Sequence, residues 1–273
     1  MQTLTDWPMA VRRCVTSVFT DIDDTLTTGG AITPNALAAL VALKAAGFTV
    51  IAITGRPVGW SLPFASAWPL DAIVAENGAV LLRFQHKIGS ISKRLMPFML
   101  SKTYFKNTAI RRANAARLAH AASRVLREVP QSRLTQDSPG RETDLAIDHS
   151  EFAHLSPAQI NAVVDVLHSE GLHATVSSIH INGWLGAYNK LTGAHWAVQT
   201  LLALETDRWV FVGDSTNDQL MFEAFDNSVG VANVRRFEAP LAALKRLPRY
   251  ITLGERSAGF AQVADALLVA RQG

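Results

Sequence analysis

Residues Ser17-Val18-Phe19-Thr20-Asp21-Ile22-Asp23-Asp24-Thr25 join a short β-rich apolar run to an acidic loop. A second run, Phe48–Ile53, is continuous and apolar and ends in Thr54-Gly55-Arg56. A run without alternation fits a parallel strand covered by helices on both faces. Between the two, Leu37, Leu40, Val41 and Leu43 form a helical stripe over Pro34–Ala46, with Thr33 as N-cap, Pro34 at the first position and Gly47 closing it.

The alternation resumes late in the chain. It predicts helices near Lys190–Leu204, Asp218–Phe225, Glu238–Lys245 and Ser257–Arg271, and strands at Trp209–Val212, Val229–Ala232 and Tyr250–Leu253. The fold class is therefore α/β, with a doubly wound parallel sheet.

The 273 residues are 48% hydrophobic and 18% charged, enough for one large core or two smaller ones, and incompatible with disorder or a fibrous protein. Lys and Arg number 26 against 23 Asp and Glu, too small an excess to point to nucleic acid. The distribution is uneven. Residues 83–186 hold 13 Lys/Arg, 8 Asp/Glu and seven of the eight histidines. That stretch reads as a separate small α+β domain, with helices over Thr108–Val129 and Pro157–Glu170 and strands at Thr143–Ile147, Leu172–Ser177 and Ile179–Asn182. The expected organisation is a core of 1–82 plus 187–273, interrupted by an insert at 83–186.

Cys14 is the one cysteine, which excludes an internal disulfide framework and a multi-Cys zinc site and fits a reducing compartment. The first residues lack an apolar signal segment, and nowhere do eighteen apolar residues run together. The expectation is a soluble, unprocessed, cytoplasmic protein without a membrane partner.

Ligands of such sheets bind beyond the carboxyl ends of the strands. Four polar groups fall there: Asp21-Ile22-Asp23-Asp24-Thr25, Thr54-Gly55-Arg56, Lys190 at the start of a helix, and Gly213-Asp214-Ser215-Thr216-Asn217-Asp218. Singly, each is open to a plain reading as a helix cap, a strand-end turn or a solvated lysine. A calcium loop is excluded because its fifth and sixth positions are Thr25 and Leu26. The chain has neither a Gly-Lys-Ser/Thr phosphate loop nor a dinucleotide glycine motif after its first strand.

Together and in this order the four groups resemble the haloacid dehalogenase superfamily of phosphotransferases. Asp21, Asp23 and Thr25 match its first motif and Thr54 its second. Lys190 matches the third, and Gly213, Asp214, Asn217 and Asp218 the fourth. An insert between the second and third motifs is similar to a C2-type cap. The stretch Ser178–Trp184 leading to Asn189-Lys190-Leu191-Thr192 resembles the branch holding sucrose-phosphate, trehalose-phosphate and mannosyl-phosphoglycerate phosphatases.

The resemblance implies a magnesium-dependent phosphomonoester hydrolase acting on a sugar phosphate or similar small metabolite, with a phosphomutase or a non-catalytic sugar-phosphate binder as the alternatives. Asp21 is the expected nucleophile, forming an aspartyl phosphate. Asp23 is the expected acid and then base, its proton retained by a dense carboxylate neighbourhood. An all-oxygen site suits Mg2+, held by Asp21, the Asp23 carbonyl and Asp214; zinc would want Cys or His. Thr54 and Lys190 would hold the phosphoryl oxygens, with Asn217 and Asp218 behind them orienting Lys190 and the metal's waters.

Gly55 and Arg56 are further substrate candidates, Arg56 being equally suited to a salt bridge with a neighbouring carboxylate. In the insert, Arg141, His180 and Asn182 are candidates, with Trp184 stacking on a ring. Asp144 and Asp148 share a strand face open to either solvent or cleft, opposite Leu145 and Ile147, which should pack on helices. Arg111, Arg112, Arg117, Arg124 and Arg127 spread around one helix as a solvated face.

Overall fold

The computed structural model describes residues 1–85, 99–201 and 208–272. In chain order its first elements are β1 Gln2–Thr3, α1 Met9–Cys14, β2 Ser17–Thr20, a hairpin of β3 Thr27–Thr28 and β4 Ala31–Ile32, α2 Pro34–Ala45, β5 Thr49–Ile53, α3 Val58–Ala67 and β6 Ala72–Ala75. An antiparallel pair follows, β7 Val80–Gln85 and β8 Met99–Tyr104. Next come α4 Thr108–Glu128, β9 Arg133–Leu134, β10 Asp144–Asp148, α5 Pro157–Ser169, β11 His173–Val176 and β12 His180–Trp184. The chain closes with α6 Lys190–Leu201, β13 Trp209–Gly213, α7 Gln219–Ala224, β14 Asn227–Gly230, α8 Glu238–Ala243, β15 Tyr250–Ile251 and α9 Arg256–Gln272.

Nine strands form one sheet in the order β1-β15-β14-β13-β2-β5-β6-β7-β8, parallel from β1 to β6. The continuous apolar runs are buried on both faces: Val18, Val50 and Ala52 enter one core layer, and Phe19, Ile51 and Ile53 the other. This is the doubly wound α/β sheet that the runs predict. Strand β14 lies two residues earlier than expected, and the end of the helix expected to reach Leu204 falls outside the described residues. Thr33 precedes α2 without capping it; its hydroxyl donates to Asn35 instead.

Strands β7 and β8 extend this large sheet, so the second layer is built from 108–184 although the charge shift begins near 83. Its antiparallel sheet runs β11-β12-β10-β9, with α4 and α5 packed against it. Leu145 and Ile147 point into that packing, beside Leu118, Val125, Val163 and Leu167; each such side chain removed from water contributes about 1.5–3 kcal/mol. Among the described residues no helix is long and apolar enough to cross a membrane.

One close approach positions a motif residue. Gly193 of α6 lies against Gly78, and a Cβ on Gly193 would fall 2.3 Å from the Gly78 Cα. Glycine at both positions lets the helix that begins with Lys190 seat against the turn after β6.

Candidate active site

Residues Thr20, Val212 and Ala52 sit in register on the adjacent strands β2, β13 and β5. Asp21, Asp214 and Thr54 therefore emerge at the same sheet edge, and all three are buried. Lys190 Nζ lies 2.9 Å from Asp21 Oδ1 and donates to Asp218 Oδ1 at 2.7 Å. The other Asp218 oxygen accepts from the backbone N–H groups of Asp214 and Ser215. Gly213 is required by that arrangement, because a Cβ there would fall 2.5 Å from Asp218 Oδ2. Asn217 accepts from the Ser215 hydroxyl and faces the pocket; the expected orienting of Lys190 is done by Asp218.

Asp21, Asp214 and Asp218 offer carboxylate oxygens that all lie within 4.8 Å of one another. Asp218 is committed to Lys190 and the backbone. Asp214 Oδ2 accepts from Asn233 Nδ2 at 3.0 Å, whereas its Oδ1 is buried without a hydrogen-bond partner among the described residues. Such an orphaned anionic oxygen beside a second carboxylate fits a hard divalent cation. Among the described residues no histidine or cysteine joins the group, so Mg2+ suits the donors better than zinc.

Burial pushes the Asp21 carboxyl up to about 7 against the pull of Lys190, and burial together with Asp21 and Asp218 raises Asp214 strongly. Burial works to discharge Lys190, but Asp21 and Asp218 outweigh it and hold the ammonium above its usual range.

Asp23 is not among neutral or acidic neighbours alone. Both of its oxygens accept from Arg56, at 3.0–3.1 Å from Nε and Nη2. That bidentate pairing gives Asp23 a cationic neighbour beside the carboxylates expected around it. Arg56 also reaches Asp137 at 3.1 Å and Glu151 at 3.0 Å across the cleft. His180 Nε2 lies 2.8 Å from the other Glu151 oxygen, and that contact, with Arg56, lowers the Glu151 carboxyl to about 2. Asp24 pairs with Arg256 at 2.9 Å.

The second layer closes on the core through backbone groups as well. The Gly55 carbonyl accepts from Arg141 Nη1 at 3.0 Å and from Asn182 Nδ2 at 3.2 Å. Arg141 also holds Asp144, at 2.8 and 3.0 Å, and is buried. It therefore acts as a clamp and does not line the pocket. Asp144 and Asp148 face neither solvent nor substrate: Asp148 accepts the N–H groups of residues 150–153 and shapes the loop carrying Glu151. Trp184 is also buried, its indole donating to the Tyr188 carbonyl at 2.8 Å, so it packs the hinge and offers no face to a sugar ring.

Asp21, Asp23, Thr54, Gly55, Arg56, His180, Asn182 and Asn217 thus meet around one narrow pocket with a cavity volume of about 10 Å³. Lys190 and Asp214 touch Asp21 and Asn233 from behind it.

Four contributors carry no recognisable sequence signal. Glu151 and Asp137 lie in loops of the insert. Asn233 lies in a short turn after β14 and fixes Asp214. Glu76, fully buried, accepts from Val58 N and Glu142 N through Oε1 and from the Thr143 amide and hydroxyl through Oε2. It ties α3 to the second layer. Glu76 and Asn77, at φ 50° and 54°, stand in the left-handed region, where a non-glycine residue signals a locally imposed conformation.

A family model described as haloacid dehalogenase-like hydrolase matches residues 18–137. No curated protein sequence matches the chain. Among solved structures, a Thermoplasma acidophilum protein aligns with TM-score 0.68 at 17% identity, over 93% of this chain and 98% of its own. The sucrose-phosphatase of Synechocystis, solved with sucrose and phosphate, aligns with TM-score 0.62 at 14% identity over 92% and 97%. A subclass IIB sugar phosphatase of the same superfamily aligns with TM-score 0.58 at 13% identity over 94% and 98%. At these identities the likeness is one of fold. The chain therefore has the fold of these solved structures, an α/β core carrying an inserted cap, and its residues 18–137 match the haloacid dehalogenase-like hydrolase model.

Proposed function

We propose that the protein is a magnesium-dependent phosphomonoester hydrolase that works through a phosphorylated Asp21 on a sugar phosphate or a similar small phosphorylated metabolite. The observation that carries this is the placing of Asp21 between Lys190 and the unpartnered Asp214 oxygen at one strand-end edge. Mg2+ held by Asp21, Asp214 and the Asp23 carbonyl would neutralise the crowded carboxylates and a phosphoryl oxygen.

An Asp21 oxygen attacks phosphorus, and the bond to the leaving oxygen breaks. The Thr54 hydroxyl and the Lys190 ammonium hold the equatorial oxygens; contacts of this kind are worth about 3 kcal/mol each. Asp23 gives its proton to the departing alkoxide, then takes one from the water that attacks the phosphoaspartate, so that Asp21 and inorganic phosphate are released. Asp23 can serve only after Arg56 lets go, and Arg56 is held in part by Asp137 and Glu151 of the cap. Opening the cap thus admits substrate and frees the acid in one motion. Substrate selection falls to the cap face carrying His180, Asn182 and Glu151.

Phosphate release from a panel of phosphorylated sugars, glycerate esters and an aryl phosphate tests the proposal. Magnesium-dependent turnover should drop at least ~10³-fold in D21N and in D23N. No release from any ester by folded protein with Mg2+ present would overturn it.

A further inference from the structure

The inner pocket is not closed on every side. Asp23, Arg56, Ser178 and Ile179 line it and also line a second, solvent-open groove of about 470 Å³, which Arg236 and Arg256 line as well. A phosphoryl group seated beside Asp21 would leave its ester chain directed past Asp23 into that groove.

The charges there are not evenly committed. Asp23 and Glu151 are both taken by Arg56, and Asp24 faces Nε of Arg256. The two terminal nitrogens of Arg256 donate to no protein acceptor among the described residues. Among the described residues Arg236 pairs with Glu255, at 3.4 Å, with both side chains more than half exposed, a pair weak enough to be exchanged for a ligand, and its charge also acts on Asp24.

Arg256 is also held in a fixed relation to the reaction centre. Its φ is 53°, in the left-handed region, and its N–H donates to Asn233 Oδ1 at 2.9 Å. The Asn233 amide nitrogen in turn donates to Asp214 Oδ2 and to the Asp24 carbonyl. One side chain therefore sets both the candidate metal-binding aspartate and the backbone of the arginine. A strained, side-chain-pinned backbone is what a positioned recognition residue requires, and a guanidinium offers a fork matched to a carboxylate or phosphate.

We infer that the site takes phosphomonoesters whose leaving group carries a second anion, a carboxylate or a further phosphate, received by Arg256 and Arg236 in the outer groove. The inference rests on the phosphatase reading and narrows it. The test compares alkyl phosphates of two to four carbons with the same chains ending in a carboxylate or a second phosphate, all with Mg2+.

The wild type should prefer the charged-end esters at least ~10-fold in kcat/KM. The preference should fall to within ~2-fold in the R236Q/R256G double variant, and R256K should retain part of it. Glycine suits the backbone at position 256, so R256G removes the side chain without opposing the fold. A wild-type ratio near one, or a ratio that survives in the double variant, overturns the inference while leaving the phosphatase standing. If no ester is hydrolysed, the phosphatase reading fails, and calorimetric binding of carboxyalkyl against plain alkyl phosphonates decides the groove: a preference lost in the double variant supports it, and equal binding overturns it.

Discussion

Replacing Glu76 by glutamine changes one atom at the joint between core and cap. The carboxylate is fully buried and accepts four hydrogen bonds, from Val58 N at 3.0 Å, Glu142 N at 2.9 Å, Thr143 N at 2.6 Å and the Thr143 hydroxyl. An amide has one accepting oxygen. If it keeps Val58 and Glu142, its NH2 meets the Thr143 N–H, and only the hydroxyl can turn to accept. The reverse orientation strands two N–H groups and is worse. One buried donor is left unpaired and the others lose a charged acceptor, a cost of about 2–4 kcal/mol. In a chain this long that lowers Tm by roughly 4–8 °C. Hydrogen exchange at the Glu142 and Thr143 amides should quicken by more than exchange in β2 and β5, because two of the three anchored amides belong to the segment leading into the cap strand β10. Thermal unfolding and exchange mass spectrometry read both effects. A Tm loss below about 2 °C with unchanged protection at 142–143 would refute the staple.

Two further outcomes follow from the site. N233A leaves Asp214 Oδ2 without its donor and should weaken Mg2+ binding about 10–100-fold, read by calorimetry; unchanged affinity would remove Asn233 from the site's support. Burial raises Asp21 from 3.8 to about 7, so across that window the folded, metal-free protein keeps a proton that the unfolded chain has released. Metal-free stability should therefore fall as pH rises from about 4 to 7, while Mg2+ affinity climbs by up to about tenfold per pH unit for each proton displaced. Denaturant midpoints and metal titrations at pH 5, 6 and 7 check this, and flat affinity would contradict it.

The sheet was legible because its strands announce themselves twice, as apolar runs and as the polar groups that end them. Thr20-Asp21, Ile53-Thr54 and Gly213-Asp214 all stand where the runs stop. Strand β6 has only Ala72–Ala75, too short for a period, and with it the Glu76–Gly78 turn was hidden. The β7–β8 pair belongs to the large sheet although its charge matches the insert, because pairing is settled by backbone partners that composition does not record. Arg56 and Asp23 lie 33 positions apart, and either a salt bridge or a substrate contact fitted the sequence equally well. Trp184 looked free for a ligand because alternation gives the face of a side chain but not what covers that face. Asn233 is a lone amide in a short turn, and only its three bonds to Asp214, Asp24 and Arg256 reveal its part.

Thr54, Gly55 and Arg56 are consecutive, yet each serves a different master. The first offers a hydroxyl to the pocket, the second a carbonyl to Arg141 and Asn182, and the third a guanidinium to Asp23 and to two cap carboxylates. A cap borrowed from a relative could not simply be spliced into this core. A cap lacking the arginine and asparagine that Gly55 meets, or the carboxylates that hold Arg56, would leave buried groups unanswered on both sides. A working chimera needs the 54–56 loop and the 76–78 turn to travel with the insert, so the unit of exchange in this protein is larger than the insert itself.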